Sequence, residues 1–117
     1  MMGLSVRTRD VHVLPLSGGP EHAFANAWAY DAPVLFVGSS EIDPDLLDRS
    51  AELLERFDAV IGPAGNDGWW VFGVRDPGRA AALAAMGESL AGTGSLTLAA
   101  LRLGLHVAMA PAMVTTG

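Results

Sequence analysis

The most constraining feature of this sequence is an uninterrupted apolar run, Pro-Val-Leu-Phe-Val-Gly, at residues 33–38. A run of this kind, bounded by turn residues, is typical of a β-strand that is buried on both faces. A strand buried on both faces requires a covering layer on each side of its sheet. We therefore expect a three-layer α/β domain in which helices flank the sheet.

Start and stop signals divide the rest of the chain into alternating strands and helices. Asp-Pro pairs at residues 43–44 and 76–77 each place a capping residue before a proline that suits the first helical position. A later helix begins near Thr93 or Ser95 and ends before Gly104. The alternation predicts a largely parallel, mixed sheet. Strands are expected near residues 11–14, 34–37, 59–62, 69–74 and 106–109.

The aromatic residues provide two further predictions about the core. A helix is predicted over residues 21–30, where Phe24 and Trp28 share helical spacing and would form one apolar face with two alanines. Trp69 and Trp70 are neighbours in a predicted strand, so their side chains should point to opposite faces of the sheet. At least one of these two indoles is therefore expected in the core.

Length and composition limit the classes of function. The 117 residues, half of them hydrophobic, fit one domain over residues 1–117, with residues 1–10 expected to form a flexible arm. Cysteine is absent, which excludes disulfides and fits a reducing compartment, so we expect a cytoplasmic protein. The net charge is −6 and all seven basic residues are scattered arginines, which argues against nucleic acid as a partner. No apolar stretch approaches the roughly 18 residues of a membrane span.

The loop after the strand at residues 34–37 is the first candidate site. Ser39, Ser40 and Glu41 lie beyond the carboxyl end of that strand, where ligands bind in open α/β sheets. No Gly-x-Ser-x-Gly elbow is present, so loop and capping roles are favoured over a nucleophilic serine. Glu41 also begins an acidic cluster with Asp43, Asp45 and Asp48. Carboxylates bind hard cations, but the helix start alone favours acidic residues here.

Two other loops carry polar groups that suit a ligand. Asn66, Asp67 and Gly68 connect two strands, and a turn role is favoured over a catalytic role for Asp67. Thr93 and Gly94 open a helix, whose first N–H groups can hold a phosphate. One of the neighbouring tryptophans could serve as a stacking platform for a base or sugar. The histidines at positions 12, 22 and 106 lack the spacing of metal ligands.

Three segments resemble a known family. Phe-Val-Gly-Ser at residues 36–39 resembles a strand that leads into a Gly-x-Asp-x-Pro motif, and residues 59–64 with 68–75 resemble a Gly-Pro-Ala-x-Asp-Gly-Gly-Trp-Trp signature. Residues 93–107 fit a third segment. The family comprises bacterial proteins with a glycosyltransferase-A-type nucleotide-diphospho-sugar transferase fold, related to phospholactate guanylyltransferases. The resemblance covers roughly residues 11–117 and corresponds to the C-terminal half of that fold.

The chain departs from the family at its acidic positions. Ser40 stands where the family has an Asp that resembles the metal and nucleotide-phosphate ligand of this fold class. Asn66 stands at the Asp of the second signature, and residues 113–116 read Met-Val-Thr-Thr where the family reads Asp-Val-Asp-Thr. These side chains cannot supply carboxylate charge around a magnesium ion. The resemblance implies that residues 1–117 lack a counterpart of the family's N-terminal half, which carries the first strand and a basic nucleotide loop.

Three hypotheses follow. The favoured one is a non-catalytic, transferase-like domain that acts as a binding or assembly module, either as a homodimer or with a partner that completes its sheet. The second is a nucleotidyl- or glycosyl-transferase whose site a second subunit completes, using a nucleotide or nucleotide sugar with Mg or Mn. The third is a small enzyme of other chemistry that uses the carboxylates near Ser40 as acid and base.

The transferase hypothesis names the most residues. Its catalytic residue would be Asp67, and Asp43 with Asp67 would hold the metal. Its ligand-binding residues would be Ser39, Ser40, Glu41, Asn66, Gly68, Trp69, Arg75, Thr93 and Gly94.

Overall fold

The computed structural model describes residues 6–8, 11–16, 19–38, 44–65, 68–87 and 89–111. Its strands are β1 Val6–Thr8, β2 Val11–Pro15, β3 Val34–Val37, β4 Ala59–Pro63, β5 Trp69–Val74 and β6 Val107–Met109. Its helices are α1 Pro20–Ala25, α2 Pro44–Leu53, α3 Pro77–Ala85 and α4 Thr93–Arg102, with a 3₁₀ turn at Ala27–Ala29. The order of strands and helices that the sequence predicted along the chain is confirmed from β2 onward. Strand β1 lies within the segment that the sequence assigned to an arm.

The strands form one mixed sheet in the order β1-β2-β3-β5-β4-β6. The predicted α/β architecture with a mixed sheet is confirmed. However, among the described strands only β2–β3 and β4–β6 pair in parallel, whereas the other three pairs are antiparallel. The five residues between β4 and β5 explain this balance, because a connection that short joins antiparallel neighbours and cannot make a parallel crossover.

The two faces of the sheet contribute to two separate cores. Because successive strand residues point to opposite faces, Val34 and Phe36 of β3 enter one core while Leu35 and Val37 enter the other. Helices α1, α3 and α4 cover the first core, and α2 covers the second. The prediction that β3 is buried on both faces, and with it the three-layer arrangement, is confirmed.

Strand β5 contains a bulge at its start. Gly62 pairs with Val71 and Pro63 pairs with Trp69, so Trp70 is an extra residue opposite β4. The bulge turns Trp70 onto the same face as Val71, whereas Trp69 enters the other core. The prediction that the two indoles point to opposite faces is therefore confirmed, and both are buried.

The first helix is shorter than the sequence predicted. It ends at Ala25, and the chain tightens into the 3₁₀ turn, where three residues make a turn instead of 3.6. Phe24 and Ala27 remain buried, but Trp28 is 70% exposed. The prediction that Trp28 belongs to the apolar face is wrong because the change in helical period rotates it outward.

The other helix ends follow the sequence in part. Asp76 caps α3, since its Oδ1 accepts a hydrogen bond from the backbone N–H of Gly78 at 3.0 Å. Gly104 follows α4 with a φ of 79°, as expected for a helix stop. The cap of α4 is Gly92 rather than Thr93, whose hydroxyl donates instead to the carbonyl of Gly68. Within the described ranges, no helix has the length and apolar character needed to cross a bilayer.

Candidate functional site

Strands β2, β3, β4 and β6 run in the same direction, so their carboxyl ends meet along one side of the sheet. We call this side the carboxyl edge, and the opposite side, where β5 ends, the amino edge. Ligands of open α/β sheets bind beyond the carboxyl ends of the strands. The carboxyl edge is therefore the first candidate site.

Hydrogen bonds bring three chain segments together at the carboxyl edge. The N–H of Gly38, just after β3, donates to the carbonyl of Trp70 at 3.1 Å. The carbonyl of Gly68 accepts from the N–H of Ala64 at 2.9 Å and also from the Thr93 hydroxyl at the start of α4. The structure thus places Gly68 and Thr93, two of the candidate ligand-binding residues, in contact, and exposed Gly94 follows Thr93 in the same helical turn.

Several candidate residues lie outside the described part of the chain, and their roles remain predictions. They are Ser39, Ser40, Glu41, Asp43, Asn66 and Asp67. Among the residues that are described, no group of three or more His, Asp or Glu side chains is suited to hold a metal ion. At the carboxyl edge those residues offer a hydroxyl and a carbonyl that already bond to each other. They do not fit a magnesium or manganese site, which would have to rest on Asp43 and Asp67.

Trp69 is part of the core at this edge. Its side chain is 9% exposed, and its ring centroid lies 6.1 Å from that of Phe24 and 6.2 Å from that of Phe72. Its Nε1 donates to the carbonyl of Leu90 at 2.8 Å. A stacking platform needs an exposed ring face, so this geometry gives Trp69 a packing role.

Arg75 lies at the amino edge, directly after β5. Its Nε donates to the carbonyl of Leu54 at 3.0 Å, and its Nη1 lies 3.9 Å from Asp58 Oδ1. The length of β5, about 20 Å, separates it from Gly68. The expectation that Arg75 lines the same cleft as Thr93 is therefore not met, because β5 runs antiparallel to its neighbours and carries its end away.

Comparison with known proteins identifies the family. The model of the DUF2064 family, described as "Uncharacterized protein conserved in bacteria", matches residues 20–89, which include β3, β4 and β5. The chain belongs to the DUF2064 family. No curated protein matches it.

A solved structure supports the fold of this DUF2064 chain. The chain is similar to a protein from Desulfovibrio desulfuricans G20 described as a candidate nucleotide-diphospho-sugar transferase, with a TM-score of 0.62 and 22% identity. The match covers 82% of this chain and 44% of the other, so the chain spans less than half the length of that relative. The transferase-like fold inferred from the sequence is confirmed, whereas the kinship with guanylyltransferases remains a prediction.

The DUF2064 chain has a further concave feature at the amino edge. A cavity of about 190 Å³ is lined by Asp58, Arg75, Asp76, Arg79, Gly104 and Leu105. Sequence reasoning missed Asp58 and Arg79. Pairing β4 with β5 as a β-hairpin would have identified Asp58. Ala59 pairs with Val74, so the residues just beyond that pair, Asp58 and Arg75, lie side by side.

Proposed function

We propose that this DUF2064 chain is a non-catalytic, transferase-like domain of the cytoplasm that works by assembling with a partner. The observation that carries the proposal is the apolar outward face of α4. Leu98 and Leu101 are 50% and 53% exposed, whereas Leu96, Ala99 and Ala100 of the same helix are buried. At about 100° per residue, the two exposed leucines fall on the side opposite the core. Surface helices usually carry polar residues there.

The neighbouring sheet edge is a second exposed surface. Strand β6 contacts α4 and pairs with β4 on one side, and no described strand covers its other side. Met109 of β6 is 53% exposed. We call Leu98, Leu101 and Met109 the α4 patch. Open edge strands are commonly covered by pairing, so a second copy of this chain, or a protein strand that completes the sheet, would cover β6 and the α4 patch together.

The non-catalytic part of the proposal rests on the carboxyl edge. By the family resemblance, Ser40 and Asn66 stand where carboxylates would be expected. The described groups nearby serve the fold, since Thr93 bonds to Gly68 and the Trp69 indole bonds to Leu90. Assembly uses none of these groups and is compatible with their structural roles.

Light scattering coupled to size-exclusion chromatography tests the assembly. At tens of micromolar we expect a mass near twice the 12.1 kDa of one chain, and a monomer for the variant Leu98→Glu with Leu101→Glu. Trp28→Glu is the matched control, because Trp28 is exposed but lies outside the α4 patch. A monomeric wild type would contradict the homodimer and leave only a different protein as the partner, and a double variant that still dimerises would contradict the α4 patch as the interface.

The transferase hypothesis is the second candidate, and the convergence of Gly38, Gly68 and Thr93 at the carboxyl edge favours it. We would follow thermal unfolding with nucleoside triphosphates and nucleotide sugars, with and without Mg or Mn. A ligand at 100 times its Kd adds about 2.7 kcal/mol to the free energy of unfolding. A metal-dependent shift that Asp67→Ala abolishes, and that Asp31→Ala retains, would favour this candidate over assembly alone. No shift with any ligand would remove it.

A further inference from the structure

Each acidic group of the cavity at the amino edge has at least one hydrogen-bond partner within the fold. Asp58 Oδ2 accepts from the backbone N–H of His106 at 2.9 Å, and its Oδ1 faces Arg75. Asp76 Oδ1 accepts from the N–H of Gly78 as the cap of α3. Both carboxylates of the cavity therefore have partners within the fold.

The two arginines of the cavity keep N–H donors that have no partner among the residues the structure describes. The bond from Arg75 Nε to the Leu54 carbonyl orients the guanidinium, and within the described ranges the further contact is that of Nη1, at 3.9 Å from Asp58 Oδ1. A guanidinium has five N–H donors, so others remain for a ligand. Arg79, in the first turn of α3, is exposed and its side chain has no partner among the described residues. The cavity thus offers guanidinium N–H donors beside two carboxylates that each have a partner within the fold, although the whole chain is acidic.

The shape of the cavity restricts the ligand to a small group. Leu105, which is 6% exposed, contributes an apolar wall. The volume of about 190 Å³ is below the roughly 300–1,000 Å³ of sites for drug-sized ligands. Planar guanidinium groups match the oxygen pairs of carboxylates and phosphates.

We propose that the amino-edge cavity binds a small oxyanion, a carboxylate or a phosphate group, through the guanidinium groups of Arg79 and Arg75. The site is separate from the carboxyl edge and from the α4 patch. Asp58 and the Leu54 carbonyl orient Arg75, and Arg79 contacts the ligand from α3.

Titration of the isotopically labelled chain with inorganic phosphate, and separately with acetate, tests the proposal by NMR at constant ionic strength, because salt screens exposed charges. We expect saturable shifts at the backbone amides of Arg75, Asp76, Gly104 and Leu105. Phosphate saturating at lower concentration than acetate would identify a phosphate site, and the reverse a carboxylate site.

Variants with equal loss of charge provide the control. Arg79→Gln should weaken binding at least about tenfold, the effect of losing a charge-assisted hydrogen bond, whereas Arg49→Gln on α2 should bind like the wild type. Both should unfold at the same denaturant concentration as the wild type, since both side chains are exposed. Shifts that never saturate with either anion, or equal binding by the two variants, would overturn the proposal.

Discussion

The two edges of the sheet differ in what their described polar groups do. At the carboxyl edge, the Thr93 hydroxyl and the Trp69 indole bond to backbone carbonyls and hold the fold together. At the amino edge, Arg79 lies beside an open cavity with no partner among the described residues. Ligands of open α/β sheets usually bind at the carboxyl edge. In this chain the described polar groups of that edge stabilise the fold, whereas the guanidinium group of Arg79 at the opposite edge has no partner among the described residues.

The side chains at the two ends of β5 contribute to this difference. Strand alternation directs Trp69 and Trp70 into opposite cores at the carboxyl edge, and the bulge decides which core each indole enters, so the start of β5 is filled with aromatic rings. The end of β5 carries no such residue and instead delivers Arg75 beside Asp58. One strand therefore consolidates one edge and supplies a charged group to the other.

The largest expected effect is on the packing of the carboxyl edge. Trp69→Ala should lower the free energy of unfolding by about 3–5 kcal/mol, because it leaves a cavity between Phe24 and Phe72 and removes the donor to Leu90. Urea denaturation measures it, with Trp28→Ala as the control that should stay within about 0.5 kcal/mol. Equal effects of the two substitutions would break the comparison between the edges.

An intermediate effect is expected where Trp70 packs on β4. A Cβ atom at Gly62 would lie 2.5 Å from Trp70 Nε1 and 2.7 Å from Val71 Cγ1, so Gly62→Ala should cost about 1–3 kcal/mol. At Gly94 nothing lies within 4 Å of the same position, and Gly94→Ala in α4 should be neutral or stabilising by up to about 1 kcal/mol. If Gly62→Ala and Gly94→Ala had the same free energy of unfolding, the close packing of Trp70 against Gly62 would be contradicted.

The smallest effect concerns the contact between the β4–β5 turn and α4. Thr93→Val removes the hydroxyl donor to Gly68 and should cost about 0.5–1.5 kcal/mol, since the carbonyl keeps its bond from Ala64. Thr97→Val is matched in shape and removes only a local bond to the carbonyl of Thr93, so its cost should be smaller. A larger cost at Thr97 would show that this edge does not depend on the Gly68 contact.

Much of the fold was predictable because its signals are local. The apolar run at residues 33–38 predicted a strand buried on both faces, and the pair Asp76-Pro77 predicted the start of α3; both are confirmed. Trp28 was predicted wrongly, because the sequence pattern does not show where an α-helix tightens into a 3₁₀ turn. For the carboxyl edge, the rule that ligands bind beyond strand ends pointed to the loop after β3, whereas the contact of Gly68 with Thr93 was seen only in the structure.

The amino-edge cavity was not predicted, because its residues are far apart in the sequence and share no motif. Asp58 precedes β4, Arg79 belongs to α3, and Leu105 follows α4. They meet only because β5 pairs between β3 and β4, which carries Arg75 and the start of α3 to the amino edge.

By itself, the sequence determined which segments become strands and helices, since apolar period, proline and glycine act over a few residues. Only the tertiary structure decided the strand order, the bulge at Trp70 and the edge to which Arg75 belongs. Those features depend on pairing between distant segments, where a shift of one residue turns side chains to the opposite face. Each position in the sheet is therefore set by the combined packing of both cores.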